Sequence, residues 1–144
     1  MHSPILAPVV ALVAWTLLMQ VWLYAARFPA LKRKGISLKG RVGSKGGDLD
    51  GVVEPEVQWK AHNYNHLLEQ PTIFYAICLA LALMGFGGGI NLYLAWAYVG
   101  LRIVHNLIQA TVNVVIYRFW AFALASLCLL GLTTHAAIFL IHHG

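Results

Sequence analysis

The feature that most constrains this chain is a run of 22 residues, Ile5 to Ala26, in which Gln20 is the only strongly polar side chain. As a helix it is about 33 Å long, enough to cross the hydrocarbon core of a bilayer. Trp120 to Ile141 is a second such run, with His135 its only basic or acidic residue. Composition removes the alternative that these are core helices of a soluble domain. Hydrophobic residues make up 60% of the chain and charged ones 10%, against about 45–50% and about 25% in ordinary soluble proteins. Fifteen charged side chains cannot cover the surface of a soluble fold of 144 residues. The mean hydropathy of +0.70 excludes intrinsic disorder as well. The chain is expected to be an integral membrane protein. A signal-peptide reading of the first run is disfavoured, because no basic segment precedes Pro4 and no A-x-A-like site precedes Arg27.

The charges are confined. Eight of the ten Lys and Arg residues fall between Arg27 and Lys60, all five acids fall between Asp48 and Glu69, and the two remaining cations are Arg102 and Arg118. The net charge of +5 therefore describes one basic loop, residues 27–60, and not a nucleic-acid-binding face. Lys and Arg in short loops mark the cytoplasmic side. The loop is expected in the cytosol, with both termini on the opposite side. Within it, Gly40 to Gly47 lacks P-loop spacing and reads as a linker.

Two middle segments are apolar but not purely so. Thr72 to Phe86 is too short to span alone, so the helix should begin earlier. Glu54-Pro55-Glu56 makes a good start, with proline in the first turn and acids near the positive end of the dipole. A continuous helix from Pro55 to Gly85 is expected, about 46 Å long, ended by the glycine-rich turn at Gly85–Gly89. A third span opens at Asn91 and runs to about Tyr117, with a tight turn at Tyr117-Arg118. The expected spans are about 5–26, 67–86, 92–116 and 120–141, in one domain over residues 1–144: an all-α, four-helix membrane bundle.

On helical wheels the third span carries one polar stripe. Arg102, His105, Asn106, Gln109 and Asn113 fall within about 100° of each other. His62, Asn65, His66 and Glu69 have matching spacing in the second span. Charged groups in a bilayer are costly, so such stripes face each other or an aqueous cavity, and Glu69 is expected to pair with Arg102. The plainer reading is that the stripes are interhelical glue, hydrogen-bonding a bundle together with no ligand. His62, His66, Glu69 and His105 have ligand types that suit zinc or iron, but His-x-x-x-His alone is unspecific, and no metal is expected. Cys78 and Cys128 lie in apolar spans, where a thiol behaves as a small hydrophobe. His142 and His143 are expected at the far interface.

The run Lys60-Ala61-His62-Asn63-Tyr64-Asn65-His66-Leu67-Leu68-Glu69-Gln70-Pro71, followed by Phe74-Tyr75, resembles the second-helix motif of the MAPEG family, the membrane-associated proteins in eicosanoid and glutathione metabolism, including its bacterial members. Arg102-x-x-His105, Gln109, Asn113 and Arg118-Phe119 resemble its third helix and the turn beyond. The resemblance covers all four spans. It implies a homotrimer of four-helix protomers, in the bacterial inner membrane, with glutathione as co-substrate held between subunits near the cytoplasmic side. Glu69, Arg102, His105 and Arg118 fall on positions that line that site in the family's enzymes, with His62, Asn65, His66 and Gln109 around them. Arg118 matches the arginine credited with holding glutathione as the thiolate. The implied activity is that of a transferase or peroxidase on a lipophilic electrophile arriving from the membrane lipid.

The sequence also departs from the family. His66 stands where the family has asparagine, Asn65 and His62 stand where its eicosanoid enzymes carry arginines, and Gln109 stands where they have tyrosine. These departures support a second reading, a non-catalytic trimeric scaffold or accessory subunit. A channel or transporter has little support, since there is no inverted repeat.

Overall fold

A computed structural model describes residues 2–35 and 51–143. Residues 36–50 of the basic loop, including the Gly40–Gly47 linker, lie outside the described residues. Every regular element among those described is a helix: α1 (Leu6–Arg33), α2 (Pro55–Leu67), α3 (Gln70–Leu83), α4 (Ile90–Ala110) and α5 (Val115–His143).

The expected loop is helical at both ends. α1 carries the chain past Ala26 to Arg33, and Lys32 and Arg33 in its last turn suit the negative end of the helix dipole. α2 starts on Pro55 at its first position, after Glu54 in extended conformation, as the sequence suggested. Arg33 and Glu54 form an exposed ion pair at 3.5 Å across the ends of α1 and α2. A small apolar cluster of Ala30, Leu31 and Val53 closes beneath it.

The expected continuous helix from Pro55 to Gly85 is divided into two. α2 ends at Leu67 and α3 begins at Gln70, with Glu69 as its N-cap at φ −92°, ψ −94°. The cause is Pro71. It has no N–H to donate to the carbonyl four residues back, that of Leu67, and its ring crowds that carbonyl. Tighter bonds take over locally, from Leu68 N–H to the Asn65 carbonyl and from Glu69 N–H to the His66 carbonyl. The Thr72 hydroxyl then donates to the Glu69 carbonyl at 2.7 Å.

α3 ends as its sequence dictates. Gly85 takes φ +72°, Phe86 N–H reaches the Leu81 carbonyl and Gly85 N–H reaches that of Ala82. This satisfies the carbonyls that a helix end leaves open. Gly87 then passes so close to Ser3 and Ile5 that a Cβ there would collide with both side chains, which fixes the α3–α4 turn against the start of α1.

α4 stops at Ala110, seven residues before the expected end. The Thr111 hydroxyl folds back to the Leu107 carbonyl, and Asn113 adopts the left-handed region at φ +50°, which asparagine tolerates better than most residues. A cation from another helix covers this terminus: Lys60 Nζ donates to the Ala110 carbonyl at 3.3 Å while lying 4.9 Å from the centre of the Trp22 ring. The turn is therefore at residues 111–114, and Arg118 belongs to the first turns of α5 instead of a turn at Tyr117-Arg118.

α4 is the central helix, packed against α1, α2 and α5, while α3 lies against α5 and α1. Side chains from all five helices meet in one core that includes Leu12, Leu67, Phe74, Tyr98 and Leu132. Phe74 and Tyr98 stack at 4.4 Å. Several polar groups inside are paired between helices. Trp15 Nε1 donates to Asn106 Oδ1 at 2.8 Å, and Gln70 joins the Tyr98 hydroxyl to Ser126. Outward faces are apolar: Val10, Leu17, Leu18 and Val21 on α1, and Leu127, Leu130 and Ile141 on α5, are all exposed. An apolar exterior over a hydrogen-bonded interior suits lipid as solvent. Among the described residues three rods are long and apolar enough to cross a membrane: α1, α2 with α3 taken together, and α5. α4 is about 32 Å long, and its polar stripe is shielded by the helices around it.

Candidate functional site

Where α2 ends, His66 faces α4 and the start of α5 across a cleft of about 390 Å³ lined by His66, His105, Gln109, Val115, Arg118, Phe119 and Phe122. Such a volume is in the range of small-molecule pockets. Four of the residues expected from sequence, His66, His105, Gln109 and Arg118, are brought together here. The imidazoles of His66 and His105 stack with centres 5.0 Å apart, and Phe122 tilts over both at 5.6 and 6.1 Å.

Behind this stack lies Arg102, fully buried. Its Nη2 is 3.1 Å from His66 Nδ1. A guanidinium can only donate, so Nδ1 accepts and His66 carries its proton on Nε2. The expected Glu69–Arg102 ion pair does not form; among the described residues the ion pair is Arg33–Glu54. Glu69 caps α3 on the exposed side of the break, and Arg102 points to His66 instead. The wheel that aligned them assumed an unbroken helix through residue 69. Arg102 Nε and Nη1, His105 Nδ1, Asn106 Nδ2 and Gln109 Oε1 are buried with no hydrogen-bond partner among the described residues. Each unsatisfied buried group costs about 1–3 kcal/mol, more when charged. The α4 stripe is thus a row of buried polar atoms only partly paired within the described residues.

The other half of the expected constellation lies elsewhere. His62, Asn65 and Glu69 are exposed on the outer side of the protomer, away from the α4 stripe. The face of α2 that is buried comprises Gln58, Ala61, Asn63 and Leu67. Asn63 sits against Met19 Sδ at 3.3 Å, and Gln58 accepts from Arg27. Among the described residues no three His, Cys, Asp or Glu side chains converge as metal ligands. Asn113, expected as the last member of the α4 stripe, stands in the turn beyond it.

Arg118 is the cleft's cation. Its Nη1 donates to Asn113 Oδ1 at 3.0 Å, so the left-handed turn residue steadies the guanidinium with a neutral group. No ion pair among the described residues neutralises it. Val115, Arg118, Phe119 and Phe122 stand at i, i+3, i+4 and i+7, one face of α5. The aromatic wall they form was missed from sequence because the fourth span was begun at Trp120. Begun at Val115, the same periodicity shows it.

The MAPEG family model matches residues 5–138, nearly the whole chain. The chain belongs to the MAPEG family. No curated protein and no solved structure matches it. Membership makes this an integral membrane protein of a transferase-type family concerned with glutathione and eicosanoids, whose members generally use glutathione.

The residues present can be tested against that thiol. Glutathione carries two carboxylates and an ionisable thiol, while among the described residues the cleft is lined by one Lys or Arg, Arg118, with the Gln109 side chain nearby. The cleft suits the thiol end. Among the described residues the cleft of one protomer has no second Lys or Arg in its lining for the carboxylates.

Proposed function

We propose that the protein is a glutathione-dependent membrane transferase or peroxidase acting on a lipophilic electrophile. The observation that carries this reading is Arg118, a cation with no ion pair among the described residues, held by Asn113 at the edge of an apolar, aromatic-walled cleft. Glutathione supplies a thiol whose deprotonated form is the nucleophile. Arg118 favours the anionic sulfur by Coulomb attraction, strengthened because Phe119, Phe122 and Val115 limit access of water. Gln109 and His105, each with an unpartnered polar atom, would hydrogen-bond the peptide. Arg102 sets the orientation of His66. Exposed Val115 and Phe119 give an electrophile dissolved in the bilayer an apolar approach to the sulfur.

The protein would act as a homotrimer, with glutathione bound between subunits. Asn65 and Glu69, polar and exposed on the outer side, are suited to meet a neighbouring protomer, because lipid is a poor partner for polar side chains. The basic loop would face the cytosol of a bacterial cell, with both termini across the inner membrane.

A pKa lowered by one to two units raises the thiolate fraction about 10- to 100-fold at neutral pH. Arg118→Ala should lower glutathione-dependent conjugation of a lipophilic electrophile by about that factor in liposomes, with the particle mass unchanged. Full activity in the variant would remove Arg118 from the mechanism. The second reading, a scaffold that kept the fold and lost the chemistry, is favoured by the His66–Arg102 bond and the His66–His105 stack, which make structural use of residues at expected ligand positions. It predicts no glutathione-dependent turnover in the wild type.

A further inference from the structure

A second cavity, of about 270 Å³, lies towards the opposite end of α5, lined by Phe86, His135, Ile138, Phe139, His142 and His143. His135 is about 26 Å along α5 from Arg118 at the helical rise per residue, so the two pockets are separate. One wall is a run of stacked rings: Phe86 on Phe139 at 5.1 Å and 25°, and Phe139 on His143 at 4.4 Å and 29°.

The chemistry of its innermost polar group is fixed by a relay of hydrogen bonds. The Phe86 carbonyl can only accept, so the Asn91 amide approaches it with Nδ2, at 3.0 Å. That orientation gives Oδ1 to His135. Oδ1 can also only accept, so in the 2.7 Å contact with His135 the proton is on Nδ1. In the neutral ring Nε2 is then a bare acceptor. It makes no hydrogen bond among the described residues and is not among the enclosed, unsatisfied atoms. The backbone of the α3–α4 turn thus dictates that the cavity offers an acceptor.

We propose that this cavity binds a lipophilic phenol: a planar aromatic ring whose hydroxyl donates to His135 Nε2 while the ring packs on Phe86 and Phe139. Aromatic rings pack favourably in offset or edge-on contact, and exposed Ile138 gives an apolar tail a path to lipid. A ring bearing only acceptors, such as a methyl ether, fits the walls but leaves Nε2 unpaired.

The test uses the full-length protein in detergent micelles, titrated by calorimetry with a para-alkylphenol and with its methyl ether. The phenol should bind about tenfold more tightly, the size of one hydrogen bond. His135→Phe keeps a ring and removes the acceptor, and should bring the two ligands to equal affinity. Phe139→Ala should weaken both and leave glutathione titrations unchanged. Because His135→Phe also takes the donor from Asn91, a second readout is made on the wild type. The nitrogen NMR signal of His135 Nε2 should move with the phenol and stay with the ether. Equal affinity of the wild type for phenol and ether would mean partition into the micelle alone and would overturn the proposal, as would an Nε2 signal indifferent to the phenol.

Discussion

Two polar stripes with the same spacing, one on α2 and one on α4, end in opposite surroundings. Arg102, His105, Asn106 and Gln109 are buried within the protomer, whereas His62, Asn65 and Glu69 are exposed and His66 alone crosses between the sets. The difference shows that periodicity identifies a polar face without saying what it faces. A stripe on a helix surrounded by three others is internal. A stripe on a helix at the edge of the protomer is left for whatever comes next to it. The inner stripe carries buried polar atoms without a partner among the described residues, the outer one carries exposed polar side chains, and a second subunit and a ligand meeting at this edge would engage both.

The largest effect is expected where the stripes touch. His66→Leu removes the acceptor of the buried Arg102 guanidinium, and a hydrogen bond to a charged group is worth about 1.5–3 kcal/mol. Thermal unfolding in detergent should report a loss of that size. An unchanged melting temperature would mean that Arg102 finds another partner and that the stripes are not coupled through His66.

A smaller effect is expected on the outer stripe. Glu69→Gln should leave the protomer's own stability nearly unaltered, since Glu69 forms no ion pair among the described residues, and should weaken the proposed trimer by about 1 kcal/mol, the scale of polar contacts between membrane helices. Native mass measurement across a detergent series would show dissociation at milder conditions than for the wild type. Destabilisation of the protomer itself would instead place Glu69 in a contact with Arg102.

The smallest effect lies outside the membrane. The Glu54 carboxyl is held below the usual carboxylate range, first by a hydrogen bond to its own backbone and then by Arg33 and Lys34. A lowered folded-state pKa stabilises above the unfolded value, near 4.3, and that stabilisation is lost as pH falls through the lowered one. Melting curves of wild type and Glu54→Gln should differ slightly at neutral pH, converge in acid, and approach each other in high salt.

Much of the bundle was legible. The outer spans follow from uncharged runs, the α2 start from Glu54-Pro55-Glu56, and the α3 end from Gly85. The break before Pro71 was written in the sequence too, but the need for enough apolar length to span argued for one continuous helix, and the local steric rule at Leu67 won. The end of α4 was hidden because Thr111-Val112-Asn113 continue an acceptable helical pattern. What stops the helix is a left-handed asparagine and a lysine fifty positions earlier. α2 is polar almost all round, so no wheel could decide between burying Gln58 and Asn63 and burying His62 and Glu69. Packing on α1, through Met19 and Arg27, decided it.

The central claim is that the Arg118 cleft holds a thiolate. Ultraviolet difference spectra during a glutathione titration of the solubilised protein test it most directly. The wild type should develop a saturable thiolate band at neutral pH, and Arg118→Ala, with the same particle mass, should not. A wild type that binds no glutathione, or binds it with no thiolate band, would contradict the claim and leave the scaffold reading in its place.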